Sequence, residues 1–175
     1  MTDFAVSYAQ ALYELGCEEN ISKEIFDDLT LACSSINHDY KKLMDAPDIS
    51  LEEKEKLLDS AFSNSVNAYT LNFFKLLAKN KAFAAIDRCK NEYEKKYNFD
   101  NNIEKAEVVS AVALNAQLLD KLTKKLEDTT KKTVLLTTKV DPSVLGGLII
   151  KFDNMLLDAS VKSKLESIKR QIFLF

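Results

Sequence analysis

The side chains that could do chemistry in this chain are few and scattered. His38 is the sole histidine, so no imidazole pair exists to hold a metal or relay a proton. Used as a base, it would need a nucleophile that the sequence does not set beside it. Cys17, Cys33 and Cys89 are odd in number, widely spaced and without a C-x-x-C, which argues against a disulfide framework or a zinc site. They read as small buried hydrophobes in a reducing compartment. Gly146-Gly147 belongs to no G-x-G-x-x-G or G-K-[ST] pattern, so it cradles no phosphate by a known spacing. It reads as a close backbone approach or a bulge. The acidic pairs Asp27-Asp28 and Glu52-Glu53 read as solvated helix faces. Lys131-Lys132 and the Lys162, Lys164, Lys169, Arg170 cluster could meet nucleic acid. The chain's net charge is −3, however, and no stacking aromatics are interleaved. No catalytic, cofactor-binding or metal-ligating set emerges, which leaves a binding protein.

The elements that would position partners are mostly helical. Three glycines and two prolines in 175 residues leave few breaks, and 46% hydrophobic with 29% charged residues is a globular composition. No apolar run approaches the ~18 residues of a membrane span. The opening MTDFAVSYAQ lacks the profile of a signal or transit peptide. Charge divides unevenly: residues 1–100 carry a net −6 and residues 101–175 a net +3, which suggests two different partners.

Phe4, Tyr8, Ala11, Leu12 and Leu15 stripe a first helix from Asp3 to Leu15, with Ala5 and Ala9 on an adjacent small-residue face and Gly16 as C-cap. Ile21, Ile25, Leu29, Ala32 and Ile36 stripe the second, whose spacing continues through Tyr40, Leu43 and Met44 to Pro47. Ser50 and Glu53 form a capping box for the next helix, and two more follow at 66–79 and 82–97. On the helix from Val66 to Lys79 the stripe Val66, Tyr69, Phe73, Leu77 is widened by Leu71, Phe74 and Ala78 to over half the circumference. Such a helix is either central in a bundle or exposes part of that arc as a groove, and periodicity favours the core. A polar boundary, NFDNN, follows at 98–102. Beyond it come a strand over 106–113, a helix marked by Leu118, Leu119, Leu122 and Leu126, and a strand over 133–140. Val144 to Phe152 reads as a third strand, Asp153-Asn154 as a hairpin turn, and Met155 to Leu157 as the return. Ser160 caps a last helix striped by Val161, Leu165, Ile168 and Ile172. The fold class is α+β, mainly α: an N-terminal antiparallel six-helix bundle over residues 1–100, then a small α/β domain over residues 101–175.

The run VDPSVLGG (Val140 to Gly147), followed by Asp158, Ala159, Ser160, Val161 and a basic helix, resembles the C-terminal signature of the ATP synthase delta subunit family. That family includes the mitochondrial oligomycin-sensitivity-conferring protein. Ala159 stands where the pattern usually has glycine, and Asp153-Asn154 replaces a glycine-containing turn. Tyr8, Ala9, Ala11, Leu12, Tyr13, Glu14 and Leu15 are similar to the family's opening Y-A-x-A-L-[FY]-E-L. NFFKLLAKNKAF (72–83) is similar to its N-F-L-x-L-L-x-x-N-x-R, with Lys81 in place of arginine. The resemblance spans nearly the whole chain and implies a stator that links the catalytic head to the peripheral stalk. It implies that the N-terminal bundle binds N-terminal helices of the alpha subunits between its first and fifth helices, here Ala5, Tyr8, Ala9, Leu12, Leu71, Phe74 and Ala78. That reverses the core-first reading for part of the fifth helix. It implies that the C-terminal domain binds the b subunit, with Asp141, Pro142, Gly146, Gly147, Asp158, Ser160, Val161 and Leu165 as signature residues. One copy per complex, monomeric alone, peripheral on the cytoplasmic face of a bacterial inner membrane, with no cofactor, no nucleic acid and no membrane insertion, is the corresponding expectation. A free-standing helical adaptor is the alternative, and an RNA-binding protein a weaker one.

Overall fold

The computed structural model describes residues 2–152 and 155–172. The Asp153-Asn154 turn and the side chains of Ile168 and Ile172 lie outside the described residues. Contacts divide the chain into two compact units, residues 1–100 and 101–175, each described by itself.

The first unit is helical: α1 (Thr2–Glu18), α2 (Ser22–Ser35), α3 (His38–Asp45), α4 (Leu51–Phe62), α5 (Ala68–Lys79), a 3-10 turn (Phe83–Ala85) and α6 (Ile86–Asp100). Its core joins Ile25, Leu29, Met44, Leu58, Phe74, Leu77, Phe83, Ile86 and Tyr93, all fully buried. Phe74 sits at its centre, edge-on to Phe62 and Phe83 with ring centroids 5.5 and 6.3 Å away.

Two helix boundaries differ from expectation. Gly16 does not end α1. The helix runs on to Glu18, and the left-handed residue that closes the turn is Asn20, at φ 58°. Gly16 is instead a contact point, since a Cβ there would stand 3.0 Å from Tyr93 Oη and 3.1 Å from Ile25 Cδ1. Tyr93 Oη donates to the Ser22 carbonyl at 2.9 Å, so the missing side chain lets α1, α2 and α6 close on one another. The second apolar stripe also breaks, at Ile36-Asn37. Asn37 accepts the Tyr40 N–H at 2.8 Å and so starts α3 afresh.

Several helix ends are capped from afar. Asp28 Oδ2 accepts the Asn67 N–H at 2.7 Å and the Thr70 hydroxyl at 3.0 Å, securing the start of α5 from α2. The Asp27-Asp28 pair is therefore not a solvated face throughout: Asp27 is exposed, but Asp28 is half-buried and hydrogen-bonded. The Asp45 carboxylate accepts the N–H groups of Phe83 and Ala84 at 2.7 and 2.9 Å. Lys54, 3% exposed, donates to the Ala46 carbonyl at 2.7 Å, where α3 ends. The Ser50–Glu53 capping box forms as its spacing predicts.

The second unit holds β1 (Ile103–Ser110), α7 (Ala116–Thr130), β2 (Thr133–Val140), β3 (Leu148–Phe152), β4 (Leu156–Asp158) and α8 (Val161–Ile172). The strands form a mixed sheet in the order β2-β1-β3-β4. β1 and β2 pair in parallel through the α7 crossover, and the other pairs are antiparallel. Alternation sends Ala106, Val108, Val134 and Ile150 into a core closed by Leu126 of α7. β3 starts at Leu148 rather than Val144, because residues 142–147 turn before the ladder begins. Leu148, Ile150 and Phe152 share its core side as their spacing predicts.

Candidate docking surfaces

α1 and α5 leave a trough between them. Its α1 wall is Ser7, Tyr8, Ala11, Leu12 and Leu15, and its α5 wall is Tyr69, Asn72, Phe73 and Leu76. The cavity measures about 470 Å³. Its lining is mainly apolar, and Leu15, Tyr69 and Leu76 remain 38–43% exposed, so the apolar surface there is left uncovered within the chain. Asn80 Nδ2 donates to Tyr8 Oη at 3.0 Å and ties the carboxyl end of α5 to the amino half of α1. The tilted Tyr8–Phe73 pair, 6.5 Å between centroids, forms the floor at that end.

The expected groove residues divide. Tyr8 and Leu12 line the trough. Phe74 and Ala78 do not: they are 0% and 1% exposed and face the core, which corrects their placement in an open groove. The apolar arc of α5 is wide because the helix has neighbours on two sides. Thr70, Phe74, Leu77 and Ala78 turn inward, while Tyr69 and Leu76 are the ones left facing water. Ala5 and Ala9 are also buried, packing α1 closely on the bundle, and Leu71 is half-buried against the core. The residues that sequence reasoning left out of the groove are Ser7, Ala11, Leu15, Tyr69, Asn72, Phe73 and Leu76. Their i, i+3/i+4 continuity along each helix was the available signal.

In the second unit the two parts of the C-terminal signature come together. Gly147 has φ +84°, and a Cβ on it would lie 2.4 Å from the Ala159 carbonyl oxygen. The Gly146 and Leu148 carbonyls accept the Val161 and Ala159 N–H groups, each at 2.9 Å. Only a glycine allows so close a backbone approach at that φ. Asp141 Oδ1 accepts the Ser143 N–H at 2.9 Å, and Asp158 Oδ1 accepts the Ser160 N–H at 2.8 Å, two like turns on either side of the staple. The Ser143 and Ser160 hydroxyls, together with these backbone N–H groups, hold the Asp141 and Asp158 carboxyls below the ordinary aspartate value. Ser160, buried, accepts the Ser163 N–H and caps α8. Around the staple, Leu145 is 77% exposed, and Val161 and Leu165 lie open on one face of α8.

His38 is exposed at the first turn of α3. Burial pushes the Cys33 and Cys89 thiols up to about 11, which makes them poor nucleophiles. Among the described residues no group of three or more His, Cys, Asp or Glu could hold a metal ion, and no helix is long and apolar enough to cross a membrane.

A helix-wide apolar trough on one unit and an open apolar face beside a stapled turn on the other are surfaces of the kind a docking protein presents. The model of the ATP synthase delta (OSCP) subunit matches residues 4–172, and the chain belongs to that family. ATP synthase subunit delta of Flavobacterium psychrophilum is 32% identical over 173 residues, 98% of this chain and 97% of that one. The subunit delta of Clostridioides difficile is 28% identical over 94% and 93%. A chain of the Toxoplasma gondii mitochondrial ATP synthase hexamer shares the fold, with a TM-score of 0.71 over 97% of each chain at 18% identity. The protein is thus a non-catalytic stator component of the F-type ATP synthase, which sets aside the free-standing adaptor and the RNA-binding reading.

Proposed function

We propose that the α1/α5 trough receives an amphipathic N-terminal helix of an alpha subunit, and that the second unit grips the b subunit of the peripheral stalk. The observation that carries the reading is the trough itself, an uncovered apolar channel between α1 and α5. Helix-in-groove docking suits a joint that must resist torque, because apolar anchors hold without chemistry. Two interfaces of ~800 Å² per partner would keep the head from turning with the rotor. Nanomolar affinity, about −12 kcal/mol, is the scale for a joint that outlasts many turnovers. On the second unit, Leu145, Val161 and Leu165 supply apolar anchors for the stalk. One copy serves each complex, the free protein is a monomer, and it works on the cytoplasmic face of a bacterial inner membrane without entering the bilayer or binding nucleic acid.

Paired substitutions on α5 test the trough. Leu76→Asp places a carboxylate on the exposed wall, where it stays hydrated in the free protein but is buried unpaired on binding. The melt should hold while titration with an alpha N-terminal peptide loses several kcal/mol, on the order of 100-fold or more. Phe74→Asp should instead collapse the melt, since that side chain is fully buried. Intact peptide binding by Leu76→Asp overturns the assignment. Affinity purification from native membranes without recovery of alpha and b subunits would reject both interfaces.

A further inference from the structure

The trough has a charged axis. Its two walls run antiparallel: Tyr8 meets Asn80 at one end, and Leu15 lies towards Tyr69 at the other. Each end therefore carries one helix amino terminus and one carboxyl terminus, so the macrodipoles of α1 and α5 oppose each other and side chains decide the local field. On α1 the outer stripe Ser7, Ala11 continues at helical spacing into Glu14 and Glu18, both exposed. Glu14 accepts only from the neutral Gln10 amide, at 2.9 Å, among its described contacts. Glu24, 3.5 Å from Asn67 at the start of α5, adds a third carboxylate to that end. On α5 the stripe Asn72, Leu76 continues into exposed Lys79 at the opposite end, while Lys75 is already paired with Asp59 at 2.6 Å. One end of the trough is acidic and the other basic.

We propose, resting on the reading of the trough as an alpha-helix receptor, that this axis fixes the direction of the bound helix. The occupant is an amphipathic helix whose end charges follow the arrangement a helix's own dipole favours, acidic in its first turn and basic in its last. Full side-chain charges at its ends outweigh the half-charges of its own dipole. It lies parallel to α1, with its basic carboxyl end over Glu14 and Glu18 and its acidic amino end beside Lys79. The apolar floor supplies affinity and is indifferent to direction; the rim charges choose between the two ways of laying a helix in it.

The test uses the full chain and a synthetic peptide of the first ~20 residues of the same organism's alpha subunit, about 30 Å long as a helix. The peptide carries a nitroxide at one end or the other. A carboxyl-terminal nitroxide should broaden the NMR signals of Leu15 and Tyr69, and an amino-terminal one those of Tyr8 and Leu76. The reverse pattern overturns the proposed direction and leaves the trough reading standing; broadening at none of the four overturns the trough reading itself. The double variant Glu14→Lys/Glu18→Lys, on exposed positions, should keep its melt and bind about tenfold more weakly at low salt. That loss should shrink as NaCl approaches ~1 M, where screening acts within ~3 Å. Unchanged affinity at low salt overturns the proposal.

Discussion

Replacing Gly147 with alanine should unfold the second unit's signature corner, whereas the same change at Gly146 should barely register. At Gly147 the backbone φ of +84° is one that an L side chain rarely adopts. Holding alanine there costs about 1–3 kcal/mol. The new methyl would also stand 2.4 Å from the Ala159 carbonyl oxygen and 2.9 Å from Ser160 Cα, so one backbone must retreat. Retreat breaks or stretches the hydrogen bonds Ala159 N–H to Leu148 O and Val161 N–H to Gly146 O, each worth about 1 kcal/mol net. The total is about 3–5 kcal/mol. A unit of this length has roughly 4–11 kcal/mol to lose. At Gly146 a methyl would meet only the Val161 Cγ2 atom at 3.2 Å, a side-chain contact that a small shift relieves, and the φ there is not positive. The assay is a urea titration read by far-UV circular dichroism. The chain lacks tryptophan and all six tyrosines lie in residues 1–100, so tyrosine fluorescence follows the first unit separately. In Gly147→Ala the dichroism should lose stability at an unchanged tyrosine midpoint, and stalk binding should weaken while the alpha peptide still binds. An unchanged titration, or an equal loss in Gly146→Ala, refutes the steric argument.

Three further outcomes are expected. Asp28→Ala removes the carboxylate oxygen that accepts two hydrogen bonds at the start of α5 and should cost the first unit about 1–3 kcal/mol by thermal melt, with the amides of Asn67 and the residues after it exchanging faster. The Asp141 and Asp158 carboxyls titrate below their ordinary value of 3.8, so their turns contribute stability above that pH and lose it as pH falls through the lowered folded values. Carboxyl NMR titration should show this loss only below pH 3.8, and midpoints at or above it would contradict the turn geometry. Residues 1–100 expressed alone should give a helical, cooperatively melting domain; a disordered fragment would reject the division at residue 100.

Local signals were legible in the sequence wherever the cause was local. The Ser50–Glu53 box, β2 over 133–140 and the inward set Leu148, Ile150, Phe152 all follow from spacing, and the structure has them. Asn37 also carried a local signal, as a capping residue, but the unbroken apolar spacing on either side of it masked the break. What spacing could not resolve is which part of a wide apolar arc turns inward. α5 packs on two sides, so Phe74 and Leu76 look alike in sequence and lie in opposite environments. Gly16 misled for a similar reason: a glycine near a helix end suggests a cap, but the cause of this one is the Tyr93 hydroxyl, 77 residues away in sequence. Nothing near Asp28 in sequence indicates that it serves the amino terminus of α5. Such long-range caps are invisible to any window that a sequence pattern can scan.

Those caps bear on how the trough would meet the helix proposed for it. Asp28 holds the start of α5 and Asn80 holds its end, so the helix that supplies one wall of the trough is anchored at both extremities by other parts of the bundle. Fraying at the ends of α5, which would let that wall breathe, requires α2 or α1 to let go as well. The surface offered to an incoming helix is therefore largely preorganised, and little ordering entropy is left to lose on the receptor side. Any conformational cost of the proposed docking would therefore fall mostly on the partner. For the helix proposed to seat there, no local opening of α5 would give an easy way out, and the pinning of α5 would lengthen its residence time.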